Sequence, residues 1–182
     1  MEEYVTLEEM LCFREEKVRA QDELRKNHKG ETIVALGMNI PGPRKTSPLI
    51  LLAFEEGEKA LTRLFADRGL GVSEEVLIKE KAGYLKLYSV TCQDALFVKK
   101  MMVQAEETHP LGRLFDIDVY DAEGKGIGRG SVGAPVRKCL ICERDAKMCG
   151  RSRNHGVEEL YGCVESMIYL WLKKEGAGKP GE

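Results

Sequence analysis

Asp116 and Asp118 stand two positions apart in a stretch where regular structure would set a pair of carboxylates side by side. From Leu114 onward apolar and polar residues alternate: Phe115, Ile117 and Val119 share one face, Leu114, Asp116, Asp118 and Tyr120 the other. Same-face neighbours on a strand stand roughly 6.6 Å apart, at about 3.3 Å per residue, so both side chains would reach one divalent cation. Phosphoryl-transfer chemistry uses such a pair to hold Mg²⁺ against a polyphosphate. The same residues would also suit a solvated edge strand before a turn.

A second set is Cys139-x2-Cys142-x6-Cys149-x5-His155, three thiolates and an imidazole at short spacing. That donor set suits a tetrahedral structural zinc, which would order a loop too small to have its own core. Reduced cysteines packed under the last helix, or a catalytic thiol, are the readings without metal. Basic residues gather around the same region: positions 129–153 hold seven Arg and Lys against Glu143 and Asp145, giving +5 and leaving −7 for the rest of a chain of net charge −2. A local basic patch on an acidic molecule fits a small polyanion better than a duplex, and few aromatics stand near those arginines to stack on bases. Arg44 and Lys45 lie in a proline-stiffened loop, 39–48, just before a helix N-terminus, where they would clamp phosphate or merely sit in a connection. His109, before Pro110, would serve as a base or shape the turn.

The elements that must position these groups follow from periodicity and punctuation. Thr6 and Glu9 form a capping box for a helix over 7–27, whose thin stripe of Leu7, Met10, Leu11, Val18 and Leu24 predicts packing on the outside of the domain. A buried strand follows at 32–37, then a helix over 48–68 with Ser47 as N-cap and Pro48 at its first position. Two strands, 75–81 and 84–90, precede a helix with Thr91 as N-cap and a core face of Ala95, Phe97, Val98, Met101, Met102 and Ala105; the strand of Asp116 and Asp118 comes next. The order β-α-β-β-α-β predicts an α+β fold, ferredoxin-like or a nucleotidyltransferase-like mixed sheet, with helices on one face and polar positions on the other. Five glycines between 124 and 133 lack the Gly-Lys-Ser/Thr ending of a P-loop and read as a hairpin or flexible crossing. A last helix carries Leu160, Cys163, Val164, Met167, Leu170 and Trp171 on one stripe.

The length, 182 residues, predicts a single domain spanning 1–182, with 136–156 as a Cys/His-rich basic segment and 174–182 as a flexible tail. No apolar run approaches a membrane span, and Met1-Glu2-Glu3 opens no secretory signal. With cysteines clustered or scattered rather than framed for disulfides, the expected location is the cytoplasm.

Three stretches taken together resemble one family: Asn39-Ile-Pro-Gly-Pro-Arg-Lys-x-Ser-Pro48, His109-Pro-Leu-Gly-Arg-Leu-Phe-Asp-Ile-Asp118, and Arg137-Lys-Cys-Leu-Ile-Cys142 continuing through Cys149-x-Arg-Ser-Arg153-x-His155 to Glu158-Glu159-Leu160. The family is holo-citrate lyase synthase, the apo-citrate lyase phosphoribosyl-dephospho-CoA transferases, and the resemblance covers nearly the whole chain. It implies transfer of 2′-(5″-phosphoribosyl)-3′-dephospho-CoA from its triphosphoribosyl precursor to a serine of the acyl-carrier (γ) subunit of citrate lyase, with release of pyrophosphate. On that reading Asp116 and Asp118 hold Mg²⁺, Arg113, Arg44 and Lys45 neutralise the phosphates, His109 is a candidate base, and Arg137, Arg151 and Arg153 grip the dephospho-CoA or the carrier. The Asp-apolar-Asp-apolar pattern also resembles the metal motif of the wider nucleotidyltransferase superfamily, whose upstream Gly-Ser or Gly-Gly signature is missing here. Val136 and Gly156 depart from the family pattern, the latter where a serine would cap the last helix; a glycine cap costs only a few tenths of a kcal/mol. The competing class is a non-catalytic, zinc-bearing interaction module that binds a protein or an anionic ligand.

Overall fold

A computed structural model describes residues 4–177, as α1 (Leu7–Asn27), β1 (Thr32–Met38), α2 (Pro48–Asp67), β2 (Val72–Glu80), β3 (Gly83–Val90), α3 (Ala95–Thr108), β4 (Phe115–Tyr120), α4 (Ala146–Arg151) and α5 (Val157–Ala177). The four strands form one sheet in the order β2-β3-β1-β4, and every neighbouring pair is antiparallel. With helices after β1 and β3, this is the ferredoxin-like connection, and no parallel pair makes the sheet mixed. β4 is an edge strand beside β1, with Asp116 opposite Gly37 and Asp118 opposite Ala35.

One face of the sheet carries the larger core. Phe54, Leu61 and Phe65 of α2, Val98 and Met102 of α3, and Val164 and Ile168 of α5 pack there with Phe115, Ile117 and Val119 of β4. The opposite face is covered too, where an exposed polar surface was expected. Ala20 and Leu24 of α1, with Phe13 alongside, pack on Ile33, Ala35, Ile78, Leu85 and Leu87. The inward positions of α1 are therefore 13, 17, 20 and 24, and the expected stripe residues Leu7, Leu11 and Val18 face solvent. Leu24 of that stripe does face the sheet, but Lys17 breaks the inward run, so hydropathy alone placed only part of the inward face.

The Thr6–Glu9 capping box and the Ser47 cap are present. Asp94, whose side chain accepts from the Phe97 N–H, caps α3 in place of Thr91; Thr91 is instead bonded to Gly71. Phe97 and Leu170, expected in the core, are exposed. α5 continues to Ala177, beyond the point where a tail was expected, and residues 178–182 lie outside those described. No helix among the described residues is long and apolar enough to cross a membrane.

Candidate functional site

β4 alternates as its sequence predicts, with Phe115, Ile117 and Val119 buried and Asp116 and Asp118 turned to the opposite face. Its inner edge is paired with β1, so its outer edge must find other partners or remain an open template. Side chains supply most of them. Lys99 Nζ donates to the Ile117 carbonyl (2.8 Å), and the Ile117 N–H donates to Glu106 Oε1 (3.0 Å). Arg137 Nη2 donates to the Phe115 carbonyl (2.7 Å), and the Ile127 N–H donates to the Val119 carbonyl (2.8 Å). The residue between the two acids is thus held at both backbone groups by charged side chains of α3.

Those two side chains are buried, each with 5% of its surface exposed, and their charges are compensated. Glu106 pairs with Arg129 (2.6 Å) and with Arg137. Arg129 also reaches Glu107 (2.5 Å) and the Pro135 carbonyl (3.0 Å), which fixes the short turn Arg129–Val132 along the cleft. Burial lowers the Lys99 pKa, opposed by Glu106 and Asp118. The glycine-rich segment is therefore a crossing with one helical turn, tied down through Arg129.

The acids differ in their surroundings. Asp118 receives Lys17 Nζ at 2.7 Å, from the inward face of α1. Burial lowers the Lys17 pKa, but Asp118 foremost, with Tyr120 and Asp116, outweighs it and the net shift is upward. Asp116 lies 3.9 Å from Arg137 Nη1, and its pKa is raised, first by burial and then by the neighbouring Asp118 charge. Two carboxylates of which one is destabilised as an anion suit a hard divalent cation in donor type. Both line a cleft of about 680 Å³ with Lys99, Arg129, Arg137 and Lys147. Asp116 also borders a smaller cavity of about 130 Å³ beside Lys17 and Lys45. Lys45 donates to the Ile40 carbonyl (2.6 Å), and its pKa is lowered by burial and then by Arg14.

Other predicted site residues lie elsewhere. His109 is on the far side of β4: its ring stacks on Phe115 at 5.0 Å, its Nδ1 accepts the Leu111 N–H (3.0 Å), and Glu56 of α2 is 3.8 Å from Nε2. It shapes the turn before β4. Gly112 in the same turn sits where a Cβ would meet the Glu106 carbonyl oxygen at 2.3 Å, so the close passage of the turn against α3 requires glycine. Arg113 donates to the Lys138 and Cys139 carbonyls and so braces the Cys/His segment. Arg44 pairs with Glu158 and lies 3.9 Å over the Tyr161 ring, fastening the proline loop to α5. Arg151 and Arg153 are exposed on the Cys/His side.

Lys17, Lys99, Glu106 and Arg129 were not singled out from sequence. A signal existed for three: Lys17 interrupts the inward run of α1, and Lys99 and Glu106, seven apart, bracket Met102 and Val103 on the buried face of α3. A charge inside an apolar stripe must have a buried partner.

The Cys/His segment forms a second centre. Cys139 N–H donates to the Arg144 carbonyl and Ala146 N–H to the Arg137 carbonyl, both at 2.8 Å, closing a hairpin that presents Cys139 and Cys142. Asp145 caps α4, which carries Cys149, and His155 follows before α5. The four donor atoms lie within 4.8 Å of one another, and the Cys142 and Cys149 sulfurs are 3.9 Å apart. Tetrahedral zinc with Zn–S near 2.3 Å needs sulfurs about 3.8 Å apart, so the spacing fits. His155 Nδ1 stands 3.5 Å from Glu159, the carboxylate neighbour expected behind a ligating imidazole. Burial raises the Cys139 thiol, but N–H groups of Ile141 and Cys142 and the other thiols outweigh it, leaving it at about 7. Cys149 is pushed up to about 11 by burial and by Cys139 and Cys142. Crowded thiols of divided pKa are what a bound cation would equalise. This group could hold a metal such as zinc.

A second cleft of about 680 Å³ runs past this centre and shares Asn39 and Ala146 with the first. The chain's likeness to known proteins extends over both. Residues 5–170 match the family model described as apo-citrate lyase phosphoribosyl-dephospho-CoA transferase. A Streptococcus pyogenes serotype M18 protein named "Probable apo-citrate lyase phosphoribosyl-dephospho-CoA transferase" is 35% identical over 176 residues, 95% of this chain and 90% of its own. A Vibrio cholerae O1 protein of the same name is 36% identical over 165 residues, 91% of this chain and 92% of its own. With the match running from before α1 well into α5, the chain belongs to the apo-citrate lyase phosphoribosyl-dephospho-CoA transferase family.

Proposed function

We propose that this protein attaches the 2′-(5″-phosphoribosyl)-3′-dephospho-CoA group to a serine of the citrate lyase acyl-carrier subunit, acting as a nucleotidyltransferase on the triphosphoribosyl precursor. The serine oxygen forms a bond to the α-phosphorus, the bond from that phosphorus to the bridging oxygen breaks, and pyrophosphate leaves; the hydroxyl proton passes to solvent. Family membership supplies the substrates of this reading. The observation that carries the chemistry is the pairing of Asp116 and Asp118 in a cleft with Arg137 and Lys147.

The charge balance of that cleft supports metal assistance. Four basic side chains line it (Lys99, Arg129, Arg137, Lys147), and four acidic ones (Glu106, Asp116, Asp118, Asp145). A triphosphate would meet no net positive field, because Glu106 already occupies Arg129 and Arg137. Mg²⁺ held by Asp116 and Asp118 would screen the phosphates and the departing pyrophosphate. Arg137 then orients the phosphate nearest Asp116, and Lys17 keeps Asp118 neutralised from α1. Zinc in the Cys139, Cys142, Cys149 and His155 group has a structural role on this reading.

The test is Asp116→Asn, assayed with apo acyl-carrier subunit, triphosphoribosyl-dephospho-CoA and Mg²⁺ by the mass gained on the carrier. We expect kcat to fall on the order of 10²-fold or more, with the fold retained. Full activity with unchanged Mg²⁺ dependence would remove the carboxylate pair from the mechanism. The convergence of the Cys/His group favours the second reading, a zinc-bearing interaction module, if wild-type protein transfers nothing and metal removal abolishes partner binding.

A further inference from the structure

The structure separates arginines that sequence left together. Arg137 turns inward, bonded to the Phe115 carbonyl and paired with Glu106, so it belongs to the reaction cleft. Arg151 projects outward. On α4, Cys149 is buried, whereas Lys147, Met148 and Arg151 are exposed and, at positions i, i+1 and i+4, share the outer face. Met148 is 62% exposed, a large apolar side chain between two cations. Lys147, Arg151 and the neighbouring Arg153 have no ion pair among the described residues, in contrast with Arg129 and Arg137.

We propose that the outer face of α4, built on Lys147, Met148 and Arg151, docks an acidic protein surface, that of the acyl-carrier acceptor. This rests on the transferase reading above and specifies its second substrate's binding surface. Two observations select this occupant. The segment is the basic part of an otherwise acidic chain, so a partner of opposite charge is steered to it and away from the rest of the surface. The face is also continuous with the reaction cleft, since Lys147 and Ala146 line that cleft while Ala146 and Arg153 line the second one. An apolar contact inside a basic rim is the usual anatomy of a protein interface.

The test is Met148→Glu and Arg151→Glu, singly and together, in the full chain. Neither residue lines the reaction cleft or belongs to the Cys/His donor set, and metal content checks that the centre is intact. We expect the KM for apo acyl-carrier subunit to rise about 10-fold for the double variant, equivalent to about 1.4 kcal/mol, with kcat and the KM for the triphosphoribosyl precursor unchanged. The wild-type carrier KM should also rise with salt more steeply than that of the double variant. A raised precursor KM with carrier KM unchanged would assign the patch to the nucleotide and overturn the proposal, as would no change in either. If wild type transfers nothing, labelled apo carrier and single-stranded RNA are titrated directly. Carrier binding lost in the double variant keeps the docking surface while the transferase reading fails; no carrier binding, or RNA binding alone, ends both.

Discussion

The β4 edge and the Cys/His hairpin both gather charged or ionisable groups, yet they are stabilised from opposite directions. At β4, buried Lys99 and Glu106 are compensated by the strand backbone, Arg129 and Arg137, all from the chain itself. The hairpin has little of this. Leu140 and Cys149 reach the core, but Val136, Ile141 and Met148 are exposed, and the six-residue α4 is far below the length at which a helix holds itself. Its most concentrated feature is four donor atoms aimed at a common point. One region is preorganised by internal partners; the other brings together four donor atoms that could hold a metal. With a metal in the Cys/His group, only the β4 edge is expected to keep its geometry once that metal is removed.

Stripping metal with a chelator is expected to have the largest effect, and at the hairpin alone. Structural zinc contributes roughly 10 kcal/mol or more in small thiolate sites, so its loss should unfold the segment over 137–155. Hydrogen exchange at the Cys139 and Ala146 amides, which close the hairpin, should become fast, while amides of the β1–β3 ladder stay protected. Unchanged protection at Cys139 and Ala146 in metal-free protein would show that packing alone orders the hairpin.

At β4 the corresponding break is Glu106→Ala. It strands the Ile117 N–H and takes the shared carboxylate from Arg129 and Arg137 in one step, and removing one member of a buried charge network costs about 3–5 kcal/mol. Urea unfolding should show that loss, and Glu107→Ala, which touches only the exposed side of Arg129, should cost less than about 1 kcal/mol. Equal costs would mean that Glu106 is not the centre of the network.

Much of this arrangement was legible in sequence where one rule governs one element. Alternation placed Asp116 and Asp118 on one face of β4, turn chemistry placed the Thr6 and Ser47 caps, and spacing grouped the four Cys/His donors. What escaped depends on contacts between elements. Lys17 meets Asp118 across 101 positions, and its place in the run 13, 17, 20 and 24 marks a buried charge only once that phase of α1 is known to face the sheet. Arg44, Arg113 and His109 have the residue types of a phosphate site, and their contacts with α5, the hairpin and the turn before β4 are ones that no local pattern announces. Residue type declares what a side chain can do; its neighbours across the fold are not written in the same stretch of sequence.

The smallest expected effect sharpens the comparison from within the acidic pair. Asp116 is a carboxylate whose pKa is raised on folding, by burial and then by Asp118. The folded state therefore binds this proton more tightly than the unfolded chain does. The stabilisation this provides is full below the ordinary carboxylate range and is lost as pH rises through the raised value. Asp116→Asn should accordingly be slightly more stable than wild type at neutral pH, and that advantage should shrink as pH falls through the carboxylate range. Lys17→Met, which uncovers Asp118, should move stability the other way at neutral pH, since Asp118 then loses its nearest counter-charge. Urea midpoints measured against pH decide the matter. A flat difference for Asp116→Asn would mean that neither burial nor the Asp118 charge raises the Asp116 pKa, and would take away the electrostatic coupling on which the proposed cation site depends.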